Sequence, residues 1–213
     1  MNLVIVSKGF HTEKVFKGLF DKVTLIDTTV PFYLNKNDCV VFEGGTDISP
    51  TFYGEKPNSY VFDVDRGRDI FESNLFHQAK ALGIPQIGIC RGAQLLCALS
   101  GGKLVQHVTN HGVDHLVEDY KGRSYIVTSS HHQMMLPGNT NHKMLAKTKR
   151  AAVYIGEHDI LLDVKEDAET VWFPDTKCLA IQSHPEWQEE GSMAVQAVRE
   201  YVADFILNGH ALF

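Results

Sequence analysis

Ile87-Gly88-Ile89-Cys90-Arg91-Gly92-Ala93-Gln94 is the stretch on which the reading of this chain turns. Residues 86–89 form an apolar run of strand length, and residues 92–99 carry a helical pattern that Gly101-Gly102 stops. Strand, cysteine and helix therefore follow one another without a linker. Glycines two places before and two places after Cys90 are what a sharp strand-to-helix turn needs, because any side chain there would collide where the two elements meet. Such an elbow lifts the central side chain above a sheet and sets it at a helix N-terminus, whose positive end favours a negative sulfur. The backbone N–H of Arg91 is then placed to stabilise an oxyanion. A lone cysteine is more often a small buried hydrophobe, and Cys39, Cys97 and Cys178 fit that account. Cys90, in this elbow, reads as a nucleophile.

Working outward, short apolar runs alternate with helical patterns. Residues 3–6, 23–26 and 39–42 read as strands, and residues 12–20 and 66–82 as helices, the second ended by Gly83 and Pro85. This alternation predicts a largely parallel sheet covered on both faces. The second half is richer in strand signals, at 124–128, 152–155, 170–173 and 179–182, with links too short for helices, so some of these strands should be antiparallel. Residues 192–207 close the chain as an amphipathic helix. The expected architecture is an α/β three-layer sandwich with a mixed, mainly parallel central sheet. The 213 residues, 44% hydrophobic and 22% charged, suit one domain spanning 1–213.

A nucleophilic cysteine needs a base, and the base an orienting group. Gln182-Ser183-His184-Pro185-Glu186 offers both, since His184 and Glu186, two apart at a strand end, point to the same side. His-x-acid pairs also arise by chance among 11 histidines and 26 acidic residues. Phe42-Glu43-Gly44-Gly45-Thr46-Asp47-Ile48-Ser49-Pro50 places paired glycines straight after a strand, where backbone can approach a substrate closely and supply a second oxyanion donor; an ordinary turn reads the same. His107, His111 and His115 recur every four residues. Their glycine- and valine-rich surroundings favour loop and strand over a helix, and no metal site is expected from them.

Together these segments resemble the class I glutamine amidotransferase-like family, and within it the γ-glutamyl hydrolase branch that includes γ-glutamyl-γ-aminobutyrate hydrolases. Besides the elbow and His184-Pro185-Glu186, the resemblance rests on Gly44-Gly45-x-Asp47-Ile48-x-Pro50 with Tyr53-Gly54-Glu55, and on Asp65, Arg68-Asp69 and Glu72. It extends to Gly101-Gly102-Lys103-Leu104, Gln106-His107 and Val127-Thr128-Ser129-Ser130-His131-His132-Gln133. It implies a flavodoxin-like class I amidotransferase fold and a triad of Cys90, His184 and Glu186. It further implies an oxyanion hole from Arg91 and Gly45 or Gly44, and a glutamyl site formed by Gln94, Ser129, Ser130, His131 and Gln133. The implied reaction is cleavage of a γ-glutamyl amide through a thioester, with no cofactor. The order Cys, His, Glu separates this pattern from α/β-hydrolases, which run nucleophile, acid, histidine. Two positions depart from the branch: Glu43 stands where proline is common, and Thr128 where asparagine is. The role of Arg68 and Glu72, substrate-shaping or structural, stays open, and Trp187 reads as a core or rim aromatic rather than a wall of the site.

Within these residues no synthetase segment accompanies the motifs, which favours a stand-alone hydrolase. The alternatives are a glutaminase component serving a separate synthetase partner and a non-catalytic binding protein of the same fold. A net charge of −6 disfavours nucleic-acid and anionic-membrane partners. No apolar stretch is long enough to span a bilayer, and the start of the chain does not read as a signal peptide. Four widely spaced cysteines without a CxxC pair point to free thiols and a cytoplasmic protein. The partner expected is a small γ-glutamyl substrate, with self-association into a homo-oligomer left open.

Overall fold

The computed structural model describes residues 1–148 and 150–209. In chain order the elements are β1 (Asn2–Val6), β2 (Lys22–Ile26), β3 (Asp38–Phe42), α1 (Arg66–Leu82), β4 (Gln86–Ile89) and α2 (Arg91–Leu99). There follow β5 (Lys103–Val105), β6 (His107–Val108), β7 (His115–Asp119), β8 (Ser124–Val127), β9 (Met134–Leu136) and β10 (Lys143–Thr148). The chain closes with β11 (Tyr154–Ile155), β12 (Asp167–Phe173), β13 (Cys178–Ile181) and α3 (Met193–Tyr201), the last continued by a π-helical turn over Val202–Leu207.

Nine strands form one sheet in the order β2-β1-β3-β4-β13-β12-β10-β7-β8. The first five run parallel and the remainder antiparallel, giving the mixed sheet expected from the alternation of elements. Strand alternation sends Val4, Val6, Val40, Phe42 and Ala180 to one face, where Leu75, Phe76 and Ala79 of α1 and the apolar side of α2 cover them. Leu3, Ile5, Val41, Ile87, Ile89 and Ile181 face the other way, onto Ala197, Val198, Tyr201 and Phe205 of the C-terminal helix. The result is helix, sheet, helix: three layers with a core on each side of the sheet. The side chain of Asp65 caps α1 by accepting the Arg68 N–H at 3.0 Å.

Several sequence expectations change. Residues 12–20 are not an α-helix but a 3-10 turn over Thr12–Lys14 followed by further turns, held by bonds such as Val15 N–H to Thr12 O (3.1 Å) and Phe16 N–H to Glu13 O (3.2 Å). His11 and Gly18 both sit at positive φ (58° and 77°), which breaks a regular helix at each end while Val15 and Phe16 still reach the core. Of 152–155 only Tyr154–Ile155 is strand, and it pairs with β6 outside the main sheet. The closing segment is α-helical only to Tyr201 before it widens. Strands β5, β6, β7, β9 and β10 lie outside the strands expected from the sequence. In β7 the inward positions are His115, Val117 and Asp119, and a register shift after Met144 interrupts β10. Among the described residues no helix is long and apolar enough to cross a membrane.

Candidate active site

In open parallel sheets, ligands bind beyond the carboxyl ends of the strands, and three functional segments meet there. β4 lies between β3 and β13, with Phe42 opposite Gly88 and Ile181 opposite Ile89. Cys90 therefore emerges between the glycine loop that follows β3 and the histidine segment that follows β13. Its N–H donates to Ile181 O at 2.7 Å.

Cys90 has φ 50° and ψ −107°, a strained conformation for a residue with a Cβ, and α2 begins at the next residue. The flanking glycines are required by contact. A Cβ on Gly88 would overlap the backbone of Gly92 and approach Ala93 N within 2.6 Å, and a Cβ on Gly92 would overlap the carbonyl of Phe42. Arg91, as the first residue of α2, has no intrahelical acceptor for its N–H. All four cysteines are free and buried. Burial pushes the thiols of Cys97 and Cys178 up to about 12 and that of Cys39 higher still, which leaves these three inert.

His184 is 2% exposed, and its Nδ1 lies 2.7 Å from Glu186 Oε1. Burial by itself pulls this imidazole down, but hydrogen bonds to Cys90 and Glu186, with their charges, outweigh it and raise His184 to about 9. With Nδ1 held by Glu186, Nε2 is the nitrogen left for Cys90. The backbone N–H of His184 donates to Thr128 O at 2.8 Å, so the residue that departs from the family pattern supports the histidine through its main chain. Trp187, expected in the core or at the rim, stacks on the His184 ring at 3.7 Å and 3° and helps line the cavity. At 46% exposure it walls the mouth of the site. The sequence offered only its position beside Glu186 as a hint.

The glycine loop is held from below by a buried charge network. Arg68 donates to Glu43 O (2.7 Å), Gly44 O (2.9 Å) and Glu72 Oε1 (2.7 Å). Arg91 pairs with Glu72 and Asp69, and Asp69 accepts the Ser49 N–H at 3.0 Å. Neither Arg68 nor Glu72 lines the cavity: Arg68 bonds the loop carbonyls, and Glu72 bonds Arg68 and Arg91. Gly45 has φ 147° and lies so close to Arg68 that any side chain would strike the guanidinium. A Cβ on Gly44 would come within 2.9 Å of His184 Cε1 and 3.6 Å of Cys90 Cβ. The buried carboxylate of Glu43, the second departure, accepts the Lys8 N–H and so ties the loop to the segment after β1.

A cavity of about 170 Å³ opens at Cys90. Gln94, Ser130, His131 and Gln133 line it, as does Gly45. Ser129 does not, since its hydroxyl is buried and donates to His111 O. Gln94 Nε2 donates to Gln133 O at 3.0 Å, tying α2 to the 129–133 loop. Both polar atoms of the Gln133 amide, and Nε2 of His131, are buried without a protein partner; buried polar groups of this kind ordinarily have one. Phe10, Asp47 and His132 complete the lining. Asp47 belongs to the glycine motif but had no assigned role, and nothing in the sequence marked Phe10. His107 does not join His111 and His115; it lies against His132, Nδ1 to Nδ1 at 3.3 Å. His111 and His115 are buried against Asp167 (3.1 Å) and Glu169 (2.8 Å). Among the described residues no three His, Cys, Asp or Glu side chains converge as a metal-binding set.

Comparison with known proteins matches residues 24–186 to the peptidase C26 family. The chain belongs to that family. It is 32% identical over 203 residues to the glutamine amidotransferase-like protein YvdE of Lactococcus lactis, covering 83% of this chain and 80% of the relative. Among solved structures it resembles a glutamine amidotransferase from Thermotoga maritima (TM-score 0.60, 16% identity, 94% of this chain and 81% of that one). It also resembles a GMP synthase subunit from Thermoplasma acidophilum (TM-score 0.59, 13% identity, 98% and 95%). The fold is that of class I glutamine amidotransferases, and this peptidase C26 protein is a hydrolase-type, glutamine amidotransferase-like member.

Proposed function

We propose that this protein is a γ-glutamyl hydrolase that works through a glutamyl thioester on Cys90. The observation that carries this reading is the strained Cys90 elbow beside the buried His184–Glu186 pair at a cavity with unpartnered polar groups. Cys90 Sγ attacks the side-chain carbonyl carbon of the glutamyl group, and the carbonyl oxygen, now negative, is held by the N–H groups of Arg91 and Gly45 or Gly44. As the C–N bond breaks, His184 Nε2 gives its proton to the departing amine. His184 then takes a proton from water as the water adds to the thioester, the C–S bond breaks, and glutamate leaves with the sulfur restored. Glu186 orients His184 and balances its charge. Gln94, Ser130, His131 and Gln133 bind the amino-acid end of the glutamyl group, with Ser129 bracing their loop.

Mass spectrometry of the protein after brief exposure to γ-glutamyl amides should detect a glutamyl adduct on Cys90, absent from Cys90→Ser. If no adduct forms and Cys90→Ser leaves hydrolysis intact, the proposal fails. A second reading, the glutaminase component of a two-protein amidotransferase, is supported by the fold shared with the Thermoplasma GMP synthase protein. Activity on glutamine that emerges only when a second protein is added would favour it.

A further inference from the structure

We propose that the amine released at Cys90 is cationic: the substrate is a γ-glutamyl amide whose leaving group retains an ammonium. This rests on the γ-glutamyl hydrolase reading and concerns the far side of the bond, which that reading leaves open. Among the described residues lining the cavity there is no lysine or arginine. The nearest arginines, Arg68 and Arg91, lie beneath the loop, buried and paired with Glu72 and Asp69. His184, raised to about 9, carries its proton against the Glu186 carboxylate at 2.7 Å, so its charge is already paired. His131 is neutral at physiological pH, because burial drives its imidazole down to about 4. The carboxylate in the lining is Asp47, which is hydrogen-bonded to the His132 imidazole.

Asp47 is rigidly presented. Its Oδ1 accepts from His132 Nε2 at 2.9 Å, and its Oδ2 accepts the Phe62 N–H at 3.1 Å. The Phe62 ring stacks on His132 at 5.1 Å and 15°, which fixes the imidazole that holds the carboxylate. A carboxylate has about four acceptor positions, so two stay available for a ligand. Two aromatic groups, Trp187 and Phe10, share the lining with it, their ring centroids 6.3 Å apart. Aromatic walls beside a carboxylate favour an ammonium through cation–π and ionic attraction, and they offer nothing to an anion. The cavity of about 170 Å³ is small, so the amine beyond the glutamyl group must pass this rim. A leaving group ending in a carboxylate, such as 4-aminobutanoate, would meet Asp47 with no lysine or arginine in the lining to offset it.

The test is a size-matched series: the γ-glutamyl amides of 1,4-diaminobutane, pentylamine and 4-aminobutanoate, which differ in terminal charge at similar length. In the intact protein kcat/KM should fall in that order, with about tenfold or more between the first and last, as expected for one carboxylate at contact distance in a partly screened site. In Asp47→Asn the ratio of the cationic to the neutral amide should drop towards one. Equal rates across the wild-type series, or a preference for the 4-aminobutanoate amide, would overturn the inference while leaving the hydrolase reading intact. An Asp47→Asn variant that slows all three amides by the same factor would also overturn it, since the carboxylate would then serve the shared glutamyl end. No release of any amine, with no adduct on Cys90, would remove both proposals.

Discussion

Arg68→Met tests whether the buried network shapes the reaction as well as the fold. The guanidinium makes three hydrogen bonds at 2.7–2.9 Å, two to consecutive carbonyls of the glycine loop and one to Glu72, and the side chain is 2% exposed. Methionine fills similar volume but leaves both carbonyls unpartnered and Glu72 with Arg91 alone. Removing one partner from a buried ionic set costs roughly 3–5 kcal/mol, because the remaining charge stays buried. Each orphaned carbonyl adds about 1 kcal/mol or more if the loop cannot reach water. Part of this is relieved by not burying the guanidinium at all, so a net loss near 4 kcal/mol is expected. Urea unfolding measures that loss. The loop should also shift where Gly44 and Gly45 face Cys90, so the rate of adduct formation on Cys90 should fall about a hundredfold, the scale of a lost oxyanion donor. Arg68→Lys separates the two effects: it restores charge for Glu72, and hence stability, but one ammonium cannot span both carbonyls. A Met variant less than 1 kcal/mol destabilised, with unchanged acylation, would refute the idea that this network holds the oxyanion loop.

The remaining expectations concern the histidine and the elbow. Because His184 is raised to about 9, its protonated form and the stability it contributes are complete below the unfolded value near 6.5 and lost as pH rises through about 9. In Glu186→Gln the alkaline limb of the acylation rate should move to lower pH and kcat should fall by about 10²–10⁴-fold; a profile superimposable on wild type would disprove the orienting role. Gly88→Ala should lose soluble, folded protein or its Cys90 reactivity, since its methyl overlaps the Gly92 backbone where helix meets strand. Normal thioester formation in that variant would contradict the contact.

Much of the chemistry was legible because it is local. The elbow needs glycines two residues either side of Cys90, and His184 and Glu186 are only two apart, although β13 ends at Ile181 and a 3-10 turn over Pro185–Trp187, not strand alternation, brings them together. The parallel strands showed for the same reason: β1, β3, β4 and β13 are short continuous apolar runs, buried on both faces. The antiparallel half was harder to read. The β7 strand points His115 and Asp119 inward, where an acidic partner or an arginine satisfies each, and no apolar pattern reports such pairs. The 12–20 segment carried helix-compatible residues, yet its tight turns are set by positive φ at His11 and Gly18.

What lay beyond the sequence were relations between segments distant along the chain. That Arg68 serves the loop beneath Cys90 depends on a helix docking under residues 43 and 44. That Trp187 covers His184, while Ser129 turns away to His111, depends on side-chain directions that motif spacing does not encode. Sequence by itself determined the strand–cysteine–helix elbow and the histidine–acid pair, because backbone sterics act over a few residues. Only the tertiary structure decided what surrounds them, a rim of Asp47, His132, Phe10 and Trp187, because burial and charge pairing are settled by which segments the sheet order places side by side.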